Sequence, residues 1–118
     1  MKNFMAVFVG SMSSPKMQDW MKMEEGKRKQ LEGEGIKKWG DWMKAHSSAI
    51  VQGGGPLGKT KKISAQGISD IKNNLSGYVV VKAESQEAAA KMFEKHPHFS
   101  HFPGDSVEVM EVLPIPGG

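Results

Sequence analysis

Cysteine is absent from the 118 residues. Disulfides, thiolate metal sites and thiol nucleophiles are therefore excluded together, and a cytoplasmic protein is the expectation. Arginine is nearly absent: Arg28 is the one example among 16 basic residues, and the lysines are interleaved with 13 acidic residues to a net charge of +3. Base readout and bidentate phosphate recognition favour arginine, so the lysines read as solvated surface and no nucleic-acid partner is expected. Glu24, Glu25, Lys27, Arg28 and Lys29 fit a solvated helix face in the same way. Apolar stretches run only a few residues, far below the roughly 18 that span a bilayer, so no membrane partner is expected either. The opening MKNFMAVFVGSMSS alternates like a strand and is short for a secretory signal.

What is present is an ordinary globular composition, 38% hydrophobic and 25% charged, and a length that suits one domain over residues 1–118. Lys2 to Val9 alternates as a strand. Phe4, Ala6 and Phe8 face one way and Met5, Val7 and Val9 the other, so both faces call for cover. Ser14 and Pro15 start a helix as N-cap and first-turn proline. Met17, Trp20 and Met21, then Ile36, Trp39, Trp42 and Met43, recur at helical steps to about residue 46. Gly26, Gly33 and Gly35 predict a bend or interruption within EEGKRKQLEGEG. AIVQ (49–52) predicts a short strand that continues around 61–65, and YVVVKA (78–83) a clear one. Ser85 then caps a helix that His96 closes and Pro97 stops, and VEVMEVL (107–113) forms the last strand.

Strand, helix, strand, strand, helix, strand is the order of a ferredoxin-like βαββαβ fold: α+β, a four-stranded antiparallel sheet with both helices on one face. The bare sheet face, apolar along three strands, calls for a second sheet. That predicts a homodimer through the sheet face, in the manner of a dimeric α+β barrel.

GYVVVKAESQEAAAKMFEKHPHFSHFPGDSVEVMEVLPI, with GGGPLGKT upstream and the paired tryptophans of WGDWMKAH, resembles the YCII-related family, nearest its DGPF-type members. The resemblance implies a dimeric α+β barrel, and most such members have no established activity. The Asp-Gly-Pro-Phe signature itself is replaced here by ISDIKNNLSG. In the YCII-type branch a histidine on the first helix and an aspartate of an Asp-Pro step form an acid/base pair. Lys38 and His96 stand at those positions, so that activity does not transfer.

Three features bear on chemistry. GGGPLGKT (53–60) has the spacing of a P-loop, but no buried strand precedes it, no amphipathic helix follows and Gly67 interrupts what comes next. A turn after the second strand is the expected role. His96, His98 and His101 place three imidazoles within six residues, a pattern that suits metal as well as a dipole-favoured helix end. Pro97 restricts convergence, and no metal or other cofactor is expected. His46 and His96 each close an apolar helical stripe on the same side of the sheet, beside Asp41. Together they form the ingredients of a small acid/base site, with Asp41 orienting one imidazole. Trp39, Trp42, Tyr78 and Phe93 are the expected walls of a pocket for a small organic molecule, although Trp20, Trp39 and Trp42 also suit simple core packing. The expected function is therefore isomerase- or lyase-type acid/base chemistry on such a molecule, or its binding by a non-catalytic regulatory dimer.

Overall fold

The computed structural model describes residues 1–117. Ten elements follow one another: β1 (Lys2–Val9), α1 (Pro15–Lys22), α2 (Glu25–Ala45), β2 (Ile50–Pro56), β3 (Thr60–Ser64), β4 (Gly67–Ile71), β5 (Leu75–Ala83), α3 (Gln86–Lys91), α4 (Pro97–Ser100) and β6 (Ser106–Glu111). β2, β5, β1 and β6 form one antiparallel sheet in that order. The order is the ferredoxin-like one, with a β3–β4 hairpin inserted between the second and third core strands. No helix among the described residues is long and apolar enough to cross a membrane.

Register explains the core. Phe4, Ala6 and Phe8 of β1 lie opposite Val81, Val79 and Gly77 of β5. Strand alternation puts all of them on the face that the helices cover. Trp42 of α2, Ala89 of α3 and Phe93 complete the buried cluster, with Trp39, Met43, Ile50, Met92, Val107 and Val109 packed around it. The Trp42 indole N–H donates to the Met92 carbonyl at 2.8 Å, tying α2 to the end of α3. On the opposite face Met5 pairs with Val80 and with Met110, leaving Met5 36% and Met110 45% exposed.

Several boundaries differ from the sequence reading. The helical break falls at Met23–Glu24, where both residues are extended, and not among the glycines that follow. α2 runs through Gly26, Gly33, Gly35 and Gly40 without interruption. The propensity cost of Gly35 is offset by tertiary packing, because Phe102 and His101 occupy the space that a Cβ would need. Gly53 to Pro56, expected in a turn, belong to β2: Gly55 and Pro56 pair with Tyr78 and Gly77, and Gly53 and Gly54 lie in the register shift that follows Gln52. The segment after Thr60 is a hairpin whose residues are almost all exposed, and β3 pairs with β4 rather than extending β2. Glycine and polar side chains hid this pairing, since an exposed ribbon has no apolar alternation to read. α3 ends at Lys91, and Pro97 opens α4 instead of stopping a helix.

Gly54 is the residue that permits the β2 bulge. It has φ +63°, and a Cβ there would overlap the Tyr78 carbonyl. A side chain would thus meet both backbone strain and a main-chain clash. Gly54→Ala is expected to lower unfolding free energy by at least about 2 kcal/mol, measured by urea titration. An unchanged midpoint would show that β2 relaxes around the added carbon.

Candidate functional site

Where α2 crosses the sheet, Ile36, Trp39, Gly40, Trp42 and Met43 present one helical face to a cavity of about 630 Å³. The floor and opposite wall come from Phe8, Gly53, Gly55, Pro56 and residues 76–79, and the remaining sides from Met12, Met17, His98, Phe102, Pro103 and Gly104. The space exists because glycines stand where side chains would fill it. A Cβ on Gly40 would meet nothing within 4 Å, and Gly53, Gly55 and Gly77 bring only main chain from the sheet. The volume falls within the roughly 300–1,000 Å³ of small-molecule sites, which are characteristically apolar with a few placed polar groups.

Two side chains supply the clearest polarity of this wall. The Ser76 hydroxyl donates to the Phe8 carbonyl at 3.0 Å. His98 is 5% exposed, and its Nε2 lies 3.1 Å from the carbonyls of both Val9 and Ser106. Two acceptors at one ring nitrogen place the proton on Nε2, so Nδ1 of the neutral ring carries a lone pair that accepts no hydrogen bond among the described residues. Gly104 packs flat on the ring, where a Cβ would overlap it. Lys16 secures this corner by donating to the carbonyls of Phe99 (2.9 Å) and Gly104 (3.0 Å). Burial holds the His98 pKa below its ordinary value and Lys16 adds to the effect, while the two carbonyls and Asp105 oppose it.

His96 sits behind the wall. It is 0% exposed and packs against Phe8, Trp39, Trp42 and Phe93 at ring-centroid distances of 5.0, 4.2, 4.8 and 6.0 Å. It is the N-cap of α4: Nδ1 accepts the His98 backbone N–H at 3.0 Å. The proton of the neutral ring is therefore on Nε2, which has no hydrogen-bond partner. Its perpendicular contact with Trp39 (89°) is the arrangement in which a ring edge meets a π face. Burial, then the neighbouring His98 and His46, lower its pKa from 6.5 to about 3.

Of the other expected site residues, His46 lies near His96, both rings packing on Trp42, while Asp41 stands apart from them. His46 caps the end of α2, its Nδ1 donating to the Trp42 carbonyl at 3.0 Å and its ring lying on the Trp42 indole. Asp41 is exposed and makes no hydrogen bond to either histidine. Trp39 and Trp42 line the cavity, as does Tyr78, whose register places its side chain on the sheet face opposite that of Val79. Phe93, 3% exposed, belongs to the core beneath the wall. His101 turns to Ser100 and Glu34. Among the described residues no three His, Asp or Glu side chains form a group that could hold a metal. Gly58-Lys59-Thr60 leads into a strand and not a helix, so it lacks the N-terminus that a P-loop needs. His98, Ser76 and Phe102 were not expected in the wall. The readable signal was Pro97, which at a first helical position makes His96 a cap and directs attention to His98.

No family model matches the chain and no curated protein matches it. A solved structure does: the 5-chloro-2-hydroxyhydroquinone dehydrochlorinase of Burkholderia phenoliruptrix AC1100, in complex with 2,5-dihydroxybenzoquinone. It is 15% identical, with a TM-score of 0.51 over 92% of this chain and 90% of that one. The two proteins share a fold.

The buried histidine couples folding to acid. Unfolded His96 titrates near 6.5 and folded His96 near 3, so the unfolded chain binds one more proton between these values. Its contribution to stability is complete above pH 6.5 and is lost progressively as pH falls toward 3. Urea unfolding at pH 4 is expected to show a loss on the order of 3 kcal/mol from this residue relative to pH 7.5. His96→Asn keeps an N-cap acceptor without the titration, so its pH slope between 6 and 4 should be shallower by about one proton. Equal slopes in the two proteins would contradict a neutral buried His96.

Proposed function

We propose that the cavity between α2 and the sheet binds a planar, largely apolar organic molecule bearing a hydroxyl or carbonyl group. We further propose that the protein carries out isomerase- or lyase-type acid/base chemistry on it. The observation that carries this reading is an aromatic-walled space of about 630 Å³ with an imidazole in its wall. The indoles of Trp39 and Trp42 offer flat apolar contact, while Ser76 and His98 offer an orienting hydrogen bond to a ring substituent. Support comes also from the shared fold, since the neighbour is a dehydrochlorinase solved with a dihydroxybenzoquinone. In this reading His96 stabilises the α4 turn, His46 holds the end of α2, and Asp41 remains in solvent.

A non-catalytic binding module is the second reading. It is favoured by the hydrogen bonds of His46 and His96, which go to main chain and not to Asp41, so that these three assemble no conventional acid/base pair. Both readings require the cavity to bind. Titration with 2,5-dihydroxybenzoquinone and simple hydroquinones is expected to quench Trp39 and Trp42 fluorescence. Gly40→Leu should fill the notch on α2, raise helix propensity and leave the thermal midpoint unchanged or higher, while weakening binding about tenfold or more. Saturable binding untouched by that substitution would place the ligand elsewhere. Ligand consumption would separate the enzyme from the module.

We propose also that the protein is a homodimer through the sheet face that the helices leave open. Met5, Val80 and Met110 make a continuous apolar row across β5, β1 and β6, with Val7 and Tyr78 adjoining. A second copy offers the same row, as a two-fold interface requires. Sedimentation is expected to give twice the 12.9 kDa chain mass, and Val80→Glu to give the monomer. A monomer in the unsubstituted protein would refute the dimer.

A further inference from the structure

His98 has the properties of a fixed base. Its Nε2–H lies between the Val9 and Ser106 carbonyls, 3.1 Å from each, and these belong to β1 and β6. A ring flip would break both hydrogen bonds, and Gly104 closes the space beside the ring. The backbone is equally fixed, since the His98 N–H is held by His96 Nδ1 and the segment is clamped by Lys16. The remaining nitrogen, Nδ1, takes part in no hydrogen bond among the described residues, and His98 lines the cavity.

We propose that His98 is the proton acceptor of the cavity, taking the proton of a ligand hydroxyl at Nδ1. This rests on the cavity binding a hydroxylated planar ring. The ligand O–H bond breaks, its electron pair stays on oxygen as a phenolate or enolate, and an Nδ1–H bond forms. The resulting imidazolium is stabilised at Nε2–H by the two carbonyl dipoles and by the Asp105 carboxylate. Lys16 opposes that charge, and the His96 ring beside it stays neutral, so the imidazolium is favoured chiefly when an oxyanion lies against it. Proton return from Nδ1 to the ligand, or to water after a leaving anion departs with its own electron pair, restores the neutral ring. His96 is a positioning residue here, acting through the His98 peptide N–H.

The probe is 4-nitrophenol, whose phenolate absorbs visible light, added to the full chain while tryptophan quenching reports occupancy. Bound to the unsubstituted protein it is expected to ionise at a proton concentration about tenfold or more above that required in free solution. His98→Gln retains an amide able to donate to the two carbonyls. It should bind the probe more weakly, and at saturating probe, judged by quenching, the ionisation should return to its free midpoint. Early ionisation that persists in His98→Gln, or that is absent from the unsubstituted protein despite quenching, would overturn the role of His98 and leave the cavity reading intact. No quenching at all would overturn both. A measurement without ligand stands beside this one: ¹⁵N chemical shifts of His98 at neutral pH should show Nε2 protonated and Nδ1 bare. The opposite tautomer would refute the assignment.

Discussion

A neutral imidazole inside an aromatic box governs this molecule. His96 touches Phe8 of β1, Trp39 and Trp42 of α2 and Phe93. Its one satisfied nitrogen sets the first turn of α4. An ion there would be stripped of water with no counter-charge, so the ring is held uncharged. Sheet, long helix and the His-Pro-His turn are thereby referred to a single side chain.

The cavity itself follows from omission. Large rings line α2, and Gly40 and Gly55, where a Cβ would meet nothing within 4 Å, leave the gap between helix and sheet unfilled. A close-packed interior leaves few voids larger than water, so a space of this size needs such a combination of spacers and missing side chains. Its polarity is confined to a few groups, and the most chemically capable of them is held by main-chain carbonyls rather than by a carboxylate partner. That arrangement fixes a tautomer by geometry while leaving the ring uncharged in the absence of ligand.

Sequence patterning captured the parts of the fold that obey a period. The alternation of residues 2–9 and 78–83, the Ser14-Pro15 and Ser85 caps and the aromatic spacing of α2 all reappear, and with them the four-stranded antiparallel sheet. The β3–β4 hairpin and the glycine-bearing half of β2 were illegible. Their residues are exposed or lack side chains, and pairing there depends on main-chain hydrogen bonds that leave no hydrophobic trace. Gly35 misled for a related reason, because its space is required by Phe102, a partner 67 positions away in the chain.

Local chemistry thus settled a great deal: no thiol function, strands and helices where spacing is regular, histidines and tryptophans concentrated on α2 and at residues 96–101. Which histidine faces open space was beyond its reach. His96 and His98 differ by two positions and both are nearly inaccessible to solvent, yet one is sealed among rings and the other borders the cavity. The distinction depends on the carbonyls of Val9 and Ser106, which reach His98 only when β1 and β6 pair. Sequence determines which groups can titrate; the tertiary contacts determine which nitrogen carries the proton and what lies beside the other.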